Sequence, residues 1–120
     1  MNQKCLFCGH TKFDVIAENE CCYAIRDKYP VTALHTLIIT KDHFDQAFEL
    51  TPAEFVSIVE LAKVCQQQIM EEDSSVEGFN FGTNIGAVAG QKINHVHFHL
   101  IPRRKGDVAP QPAMAKTRSV

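Results

Sequence analysis

Seven residues, His95-Val96-His97-Phe98-His99-Leu100-Ile101, constrain this chain more than any other stretch. Histidine and apolar residues alternate strictly, which is the pattern of a half-buried β-strand and does not fit a helical repeat. Side chains on a strand change face at every residue. The three imidazoles therefore share one face, and Val96, Phe98 and Leu100 point the other way into a core. Pro102-Arg103 is expected to stop the run. Three groups that titrate near neutral pH on one rigid element can divide the roles of nucleophile, acid and ligand. A strand that only binds metal is the competing reading.

The remainder of the chain reads as the frame for this strand. At 120 residues, one domain with a real core is expected. A net charge of −2 gives no electrostatic footprint for duplex nucleic acid. No apolar run reaches the ~18 residues of a membrane helix, and no apolar signal core follows Met1. The expectation is a cytoplasmic protein that binds neither membrane nor nucleic acid. Five cysteines in that setting argue against a disulfide framework.

Cys5-Leu6-Phe7-Cys8 is a C-x-x-C, whose two thiolates can converge on one tetrahedral Zn²⁺. A redox pair or two structural thiols are the alternatives. Lys12 to Ala17 and Cys21 to Arg26 read as a β-hairpin about the polar turn Glu18-Asn19-Glu20. Asp27 follows at a loop edge, either as a solvated turn carboxylate or as an acceptor for ribose hydroxyls. Leu34 to Thr40 reads as a central strand opened by His35 and closed by Lys41-Asp42-His43. Phe44 to Leu50 reads as a short helix or turn. Thr51-Pro52-Ala53-Glu54 is a helix start, with Thr51 as N-cap, Pro52 at the first helical position and Glu54 completing a capping box. Phe55, Ile58, Val59, Ala62, Cys65 and Ile69 continue it at helical spacing to about Glu72. Gly78 to Asn84 alternates as a strand, with Phe79, Phe81 and Thr83 on one face. The small-residue loop Ile85 to Gln91 follows, where glycines let backbone N–H groups approach a phosphate. The domain is expected over 1–104, and 105–120, with Pro110 and Pro112, as an extended or flexible tail.

The strand resembles the signature of the histidine triad (HIT) superfamily, His-φ-His-φ-His-φ-φ, with His95, His97 and His99 in place and Val96, Phe98, Leu100 and Ile101 at the apolar positions. The resemblance extends over Cys5 to Arg103 and includes Ala89-Gly90-Gln91 shortly before the triad. The Ile101-Pro102-Arg103 ending is similar to the branch of Fhit-like and bacterial dinucleoside polyphosphate hydrolases. It implies an α+β fold in which an antiparallel sheet of about five strands carries a packed helix and pairs into a homodimer.

The implied chemistry is nucleotidyl transfer to water. His97 would attack the α-phosphorus of a nucleotide, and water would then cleave the nucleotidyl-histidine. His99 would stabilise the α-phosphate oxygens, with His35 and His95 completing the catalytic histidines. Asp27, Asn84, Gly90, Gln91 and Lys92 match substrate-binding positions. Cys5, Cys8, His43 and His95 match a Cys₂His₂ zinc set of the structural type, with His10 as a rival ligand. The leading reading is hydrolysis of a dinucleoside polyphosphate or related conjugate. A purine nucleoside phosphoramidase is the alternative, and a nucleotide- or zinc-binding module with little turnover is the second. Lys92 stands where many relatives carry Ser or Thr. Replacing Lys92→Ser is expected to shift preference away from the more anionic polyphosphate toward a nucleoside phosphoramidate, read as the ratio of kcat/KM for the two; an unchanged ratio removes Lys92 from specificity.

Overall fold

The computed structural model describes residues 5–107. Five strands form one antiparallel sheet: β1 (Ala17–Glu18), β2 (Cys22–Arg26), β3 (Thr36–Thr40), β4 (Val76–Gly82) and β5 (His97–Arg104), in the order β1-β2-β3-β5-β4. One helix, α1 (Pro52–Glu72), links β3 to β4 and packs across β1, β2, β3 and β5. Most of the expected tail, 108–120, lies outside the described residues. Among the described residues no helix is long and apolar enough to cross a membrane.

β5 is flanked by β3 and β4, and its alternation divides the interior. Ile39 pairs with His97 and Leu37 with His99. Ile39 and Leu37 join Tyr23, Ile25 and Phe7 in a small cluster on the histidine face. Val96, Phe98 and Leu100 belong to the larger cluster on the other face, with Cys22, Ala24, Ile38 and the buried side of α1. Each face therefore carries its own core.

α1 starts as its sequence specifies. The Thr51 side chain accepts the Glu54 N–H, the Glu54 carboxylate accepts the Thr51 N–H at 2.8 Å, and Pro52 takes the first turn. Its buried side is Ile58, Leu61, Ala62, Cys65 and Ile69. The expected stripe is corrected at one place: Val59 is 46% exposed and Leu61 is buried. A turn of 3.6 residues rotates Val59 about 100° from Ile58, off the centre of the stripe, while Leu61 returns to its flank.

Three other expectations change. The first hairpin strand shrinks to Ala17–Glu18, because His10–Lys12 coils into a 3₁₀ turn. Within Phe44 to Leu50 only Ala47–Glu49 is helical, a 3₁₀ turn capped by the Gln46 side chain. Most instructive is β5, which does not stop at Pro102: it continues to Arg104, with Phe79 opposite Pro102. β3 pairs with β5 only as far as Leu100. The Pro102 carbonyl accepts the Thr32 hydroxyl at 2.6 Å. A strand residue's N–H and C=O point to the same side, so the missing N–H of Pro102 lies where no strand asks for it.

Leu61→Ala is expected to cost about 2–5 kcal/mol, and Val59→Ala within about 0.5 kcal/mol, by urea unfolding at equilibrium. Equal costs would contradict this placement of the core.

Candidate active site and metal centre

The N-terminal C-x-x-C folds under the start of the triad strand. Cys5 Sγ lies 3.2 Å from His95 Nδ1 and 3.5 Å from His43 Nδ1. Cys8 Sγ lies 3.6 and 3.3 Å from the same two nitrogens. The four ligand atoms all lie within 4.8 Å of one another. Around a tetrahedral Zn²⁺ with Zn–S of about 2.3 Å and Zn–N of about 2.0 Å, neighbouring ligand atoms stand about 3.5 Å apart. The set therefore fits zinc without rearrangement.

Both histidines are turned to offer Nδ1. His95 Nε2 donates to the Thr40 carbonyl at 2.8 Å, and His43 Nε2 donates to the Asp45 carboxylate at 2.9 Å. A carbonyl and a carboxylate can only accept, so each Nε2 carries the proton and each Nδ1 keeps its lone pair. Burial pushes the His95 imidazole below the ordinary histidine range, toward the neutral ligating form. His10 is not in this set; it lies over Tyr23, 5.2 Å between ring centroids, and 3.7 Å from Glu18. A metal held by all four of these residues would have no open position for a reacting water.

Two residues along, His97 is set by the same logic. Its Nδ1 donates to the His95 carbonyl at 2.8 Å, so Nε2 bears a free lone pair. Phe7, buried between the two cysteines, packs edge-on against the His97 ring at 5.1 Å. The His97 and His99 rings lie 5.3 Å apart, and His99 and His35 5.2 Å.

His35 and His99 form a chain whose tautomers are dictated from one end. The Val31 backbone N–H donates to His35 Nδ1 at 3.0 Å, so the His35 proton sits on Nε2. That Nε2 donates to His99 Nδ1 at 3.0 Å, which leaves His99 with its proton on Nε2, a donor for an anionic oxygen. Burial lowers the pKa of both rings, against the opposing pull of Asp27, and favours the neutral pair. Asp27 Oδ2 lies 3.5 Å from His35 Nε2, and its Oδ1 accepts the Tyr29 N–H. Asp27, His35 and His99 are also close enough to hold a cation, but ligation through His35 Nε2 would displace the proton this chain requires there. Leu34, at φ 73°, is the one non-glycine residue of the described set in the left-handed region, and it turns the chain into His35.

The loop before the triad faces this row. Thr83 donates its hydroxyl to the His97 carbonyl at 2.7 Å. Gly86 and Gly90 take φ of 93° and 101°, conformations that favour glycine. A Cβ on Gly90 would come within 3.2 Å of the Asn84 amide. Asn84, Gly90 and Lys92 are exposed at this rim.

Two expected site residues take other positions. His95 is fully buried, its Nε2 on the Thr40 carbonyl and its Nδ1 facing Cys5, a geometry that suits a metal ligand. Gln91 is 8% exposed, and its amide is engaged by the backbone of Gly86, Asp45 and Ile93. Conversely, Phe7, Thr40, Asp45 and the Val31 amide shape the site and were not singled out from sequence. Only Phe7 left a signal, as the large apolar residue inside the C-x-x-C.

Residues 9–106 match the HIT domain family. An uncharacterized HIT-like protein of Methanocaldococcus jannaschii is 35% identical over 107 residues, covering 86% of this chain and 81% of that protein. An adenosine 5'-monophosphoramidase of Schizosaccharomyces pombe is 33% identical over 103 residues, covering 82% and 74%. Among solved structures, a zinc-bound histidine triad family protein from Mycobacterium smegmatis superposes with a TM-score of 0.80 at 29% identity, over 89% of this chain and 80% of that one.

Removing the Asp45 carboxylate frees the outer nitrogen of His43. Asp45→Ala is expected to weaken zinc about 10- to 100-fold in competition with a chromophoric chelator; an unchanged affinity would show that His43 needs no such support.

Proposed function

The chain belongs to the HIT family, and from that premise we propose that it is a nucleotide hydrolase that works through a covalent nucleotidyl-His97. The observation that carries this reading is the contact of His97 Nδ1 with the His95 carbonyl, which leaves Nε2 as an unprotonated nucleophile. In the first step the Nε2 lone pair attacks the α-phosphorus, a P–N bond forms, and the bond to the leaving group breaks with its electron pair. In the second, water adds to phosphorus and gives up a proton to solvent, the P–N bond breaks, and the pair returns to Nε2. While the ring is phosphorylated it carries positive charge, which the His95 carbonyl stabilises through the Nδ1 proton. His99 Nε2–H donates to an α-phosphate oxygen as charge builds there. Asp27 Oδ2 accepts from ribose hydroxyls. The Gly86–Gly90 loop, with Asn84 and Lys92, borders the phosphates.

The leaving group we favour is a polyphosphate, as in a dinucleoside polyphosphate. A polyphosphate departs as an anion and needs no proton, which suits a His35–His99 pair held neutral by burial. An amine leaving group needs one. The similarity to the fission-yeast phosphoramidase supports that second reading. Zinc at Cys5, Cys8, His43 and His95 would hold the triad strand and take no part in the chemistry; the fit of the ligand set and the zinc-bound mycobacterial relative support it. The outer edge of β4 is unpaired in the sheet order, and Phe81, Val56 and Val59 are exposed. Both features are consistent with a homodimer, which would cover them. Free thiols at all five cysteines suit a cytoplasmic setting.

Brief incubation with diadenosine tetraphosphate and an acid-free quench should leave an adenylyl group on His97 in peptide mass spectra and release mononucleotide. His97→Ala should lose the adduct and lower kcat by at least about 10³-fold while still binding AMP. Full activity in that variant overturns the nucleophile. Turnover of adenosine phosphoramidate in place of the polyphosphate selects the second reading.

A further inference from the structure

We infer that Gln91 is a positioning residue that couples occupancy of the metal centre to the shape of the Gly86–Gly90 loop. Its side chain lies between the two. On one side its Oε1 accepts the Gly86 N–H at 2.8 Å. On the other its Nε2 donates to the Asp45 carbonyl at 2.6 Å and to the Ile93 carbonyl at 3.0 Å. Both amide protons and one oxygen lone pair are thus satisfied in a site that is 8% exposed, where an unmade hydrogen bond is costly.

Asp45 is the other end of the strut. Its carboxylate accepts the His43 Nε2–H, so the residue that holds Gln91 by its backbone holds a metal ligand by its side chain. Between them, the Phe44 carbonyl accepts the Val96 N–H at 2.8 Å, and the segment 43–45 is pinned to the base of β5. A bound metal fixes His43 and with it the position of Asp45. The Gln91 amide transmits that position to Gly86, where the chain at φ 93° enters the loop. The Gln91 backbone N–H also bonds the Gly86 carbonyl at 3.1 Å, so side chain and main chain close the same ring. The loop's glycines give it no shape of their own. Main-chain bonds close the Ala87–Ala89 turn within the loop, and the buried amide ties that turn to the segment 43–45.

The inference builds on the site of the proposed hydrolase, but its readout needs no nucleotide. The test compares the zinc-loaded and chelator-stripped full-length chain by amide hydrogen exchange, in the wild type and in Gln91→Glu. The glutamate still accepts from Gly86 but loses both donors and sets a carboxylate against two carbonyls. In the wild type, stripping zinc should speed exchange of the Gly86 N–H about fivefold or more, with the β3 amide of Ile38 unchanged as the control for global unfolding. In Gln91→Glu that metal dependence should fall below about twofold, and zinc affinity should drop by the factor lost, because coupling is reciprocal. Gly86 exchange that ignores zinc in the wild type overturns the proposal even if the variant does not fold. So does a variant that keeps the wild-type dependence. Titration with AMP in the same samples separates the two readings: failure to bind AMP tells against the nucleotide site, and the exchange data still decide the role of Gln91.

Discussion

One hydrogen bond, from His97 Nδ1 to the carbonyl of His95, joins the two halves of the site. The ring of His95 faces the cysteines; its carbonyl faces the reactive histidine. The same residue therefore anchors the proposed metal and sets the tautomer of the proposed nucleophile. His95 lies in the bend just before β5 and His97 opens the strand, and both rings pack edge-on against Phe7. The carbonyl between them is within reach of the next ring.

That arrangement holds only if β5 is rigid, and both cores serve that end. Val96, Phe98 and Leu100 lock one face against α1. Leu37 and Ile39 stand beside His99 and His97 on the other. β3 and β4 flank it, so the histidines are carried by an inner strand and supplied with partners from its neighbours. His35 arrives from the turn into β3, Asp27 from the end of β2, and Thr83 from just beyond β4. Protonation states across the row are then set by backbone groups that can only donate or only accept. The Val31 amide defines His35 and, through it, His99. The His95 and Thr40 carbonyls define His97 and His95. The histidines thus stand in distinct hydrogen-bonding states, though the sequence writes them alike.

Belonging to the HIT family accounts for the sheet, the helix and the row of histidines. It does not distinguish the leaving group. Burial lowers the basicity of the His35–His99 pair, and the proposed choice of leaving group rests on that. Lys92 is exposed beside the loop before the triad.

From sequence alone the alternation of residues 95–101 determined a strand that carries His97 and His99 on one face; the structure starts it at His97 and leaves His95 in the bend before it. Thr51, Pro52 and Glu54 determined where α1 begins, and both follow from local periods and local hydrogen bonds. The C-x-x-C and the histidines at 35 and 43 were legible as chemistry. The grouping of Cys5 and Cys8 with His43 and His95 came only through the family resemblance, because contacts across 38 or 90 residues leave no mark in local pattern. The tertiary structure alone decided that Leu61 and not Val59 faces the core, and that Pro102 continues a strand beyond the reach of β3. It also decided that His95 is fully buried and that the Gln91 amide bonds Gly86, Asp45 and Ile93. In each case the deciding quantity is what the other end of a hydrogen bond or the other side of a packed face turns out to be, and only the folded chain supplies it.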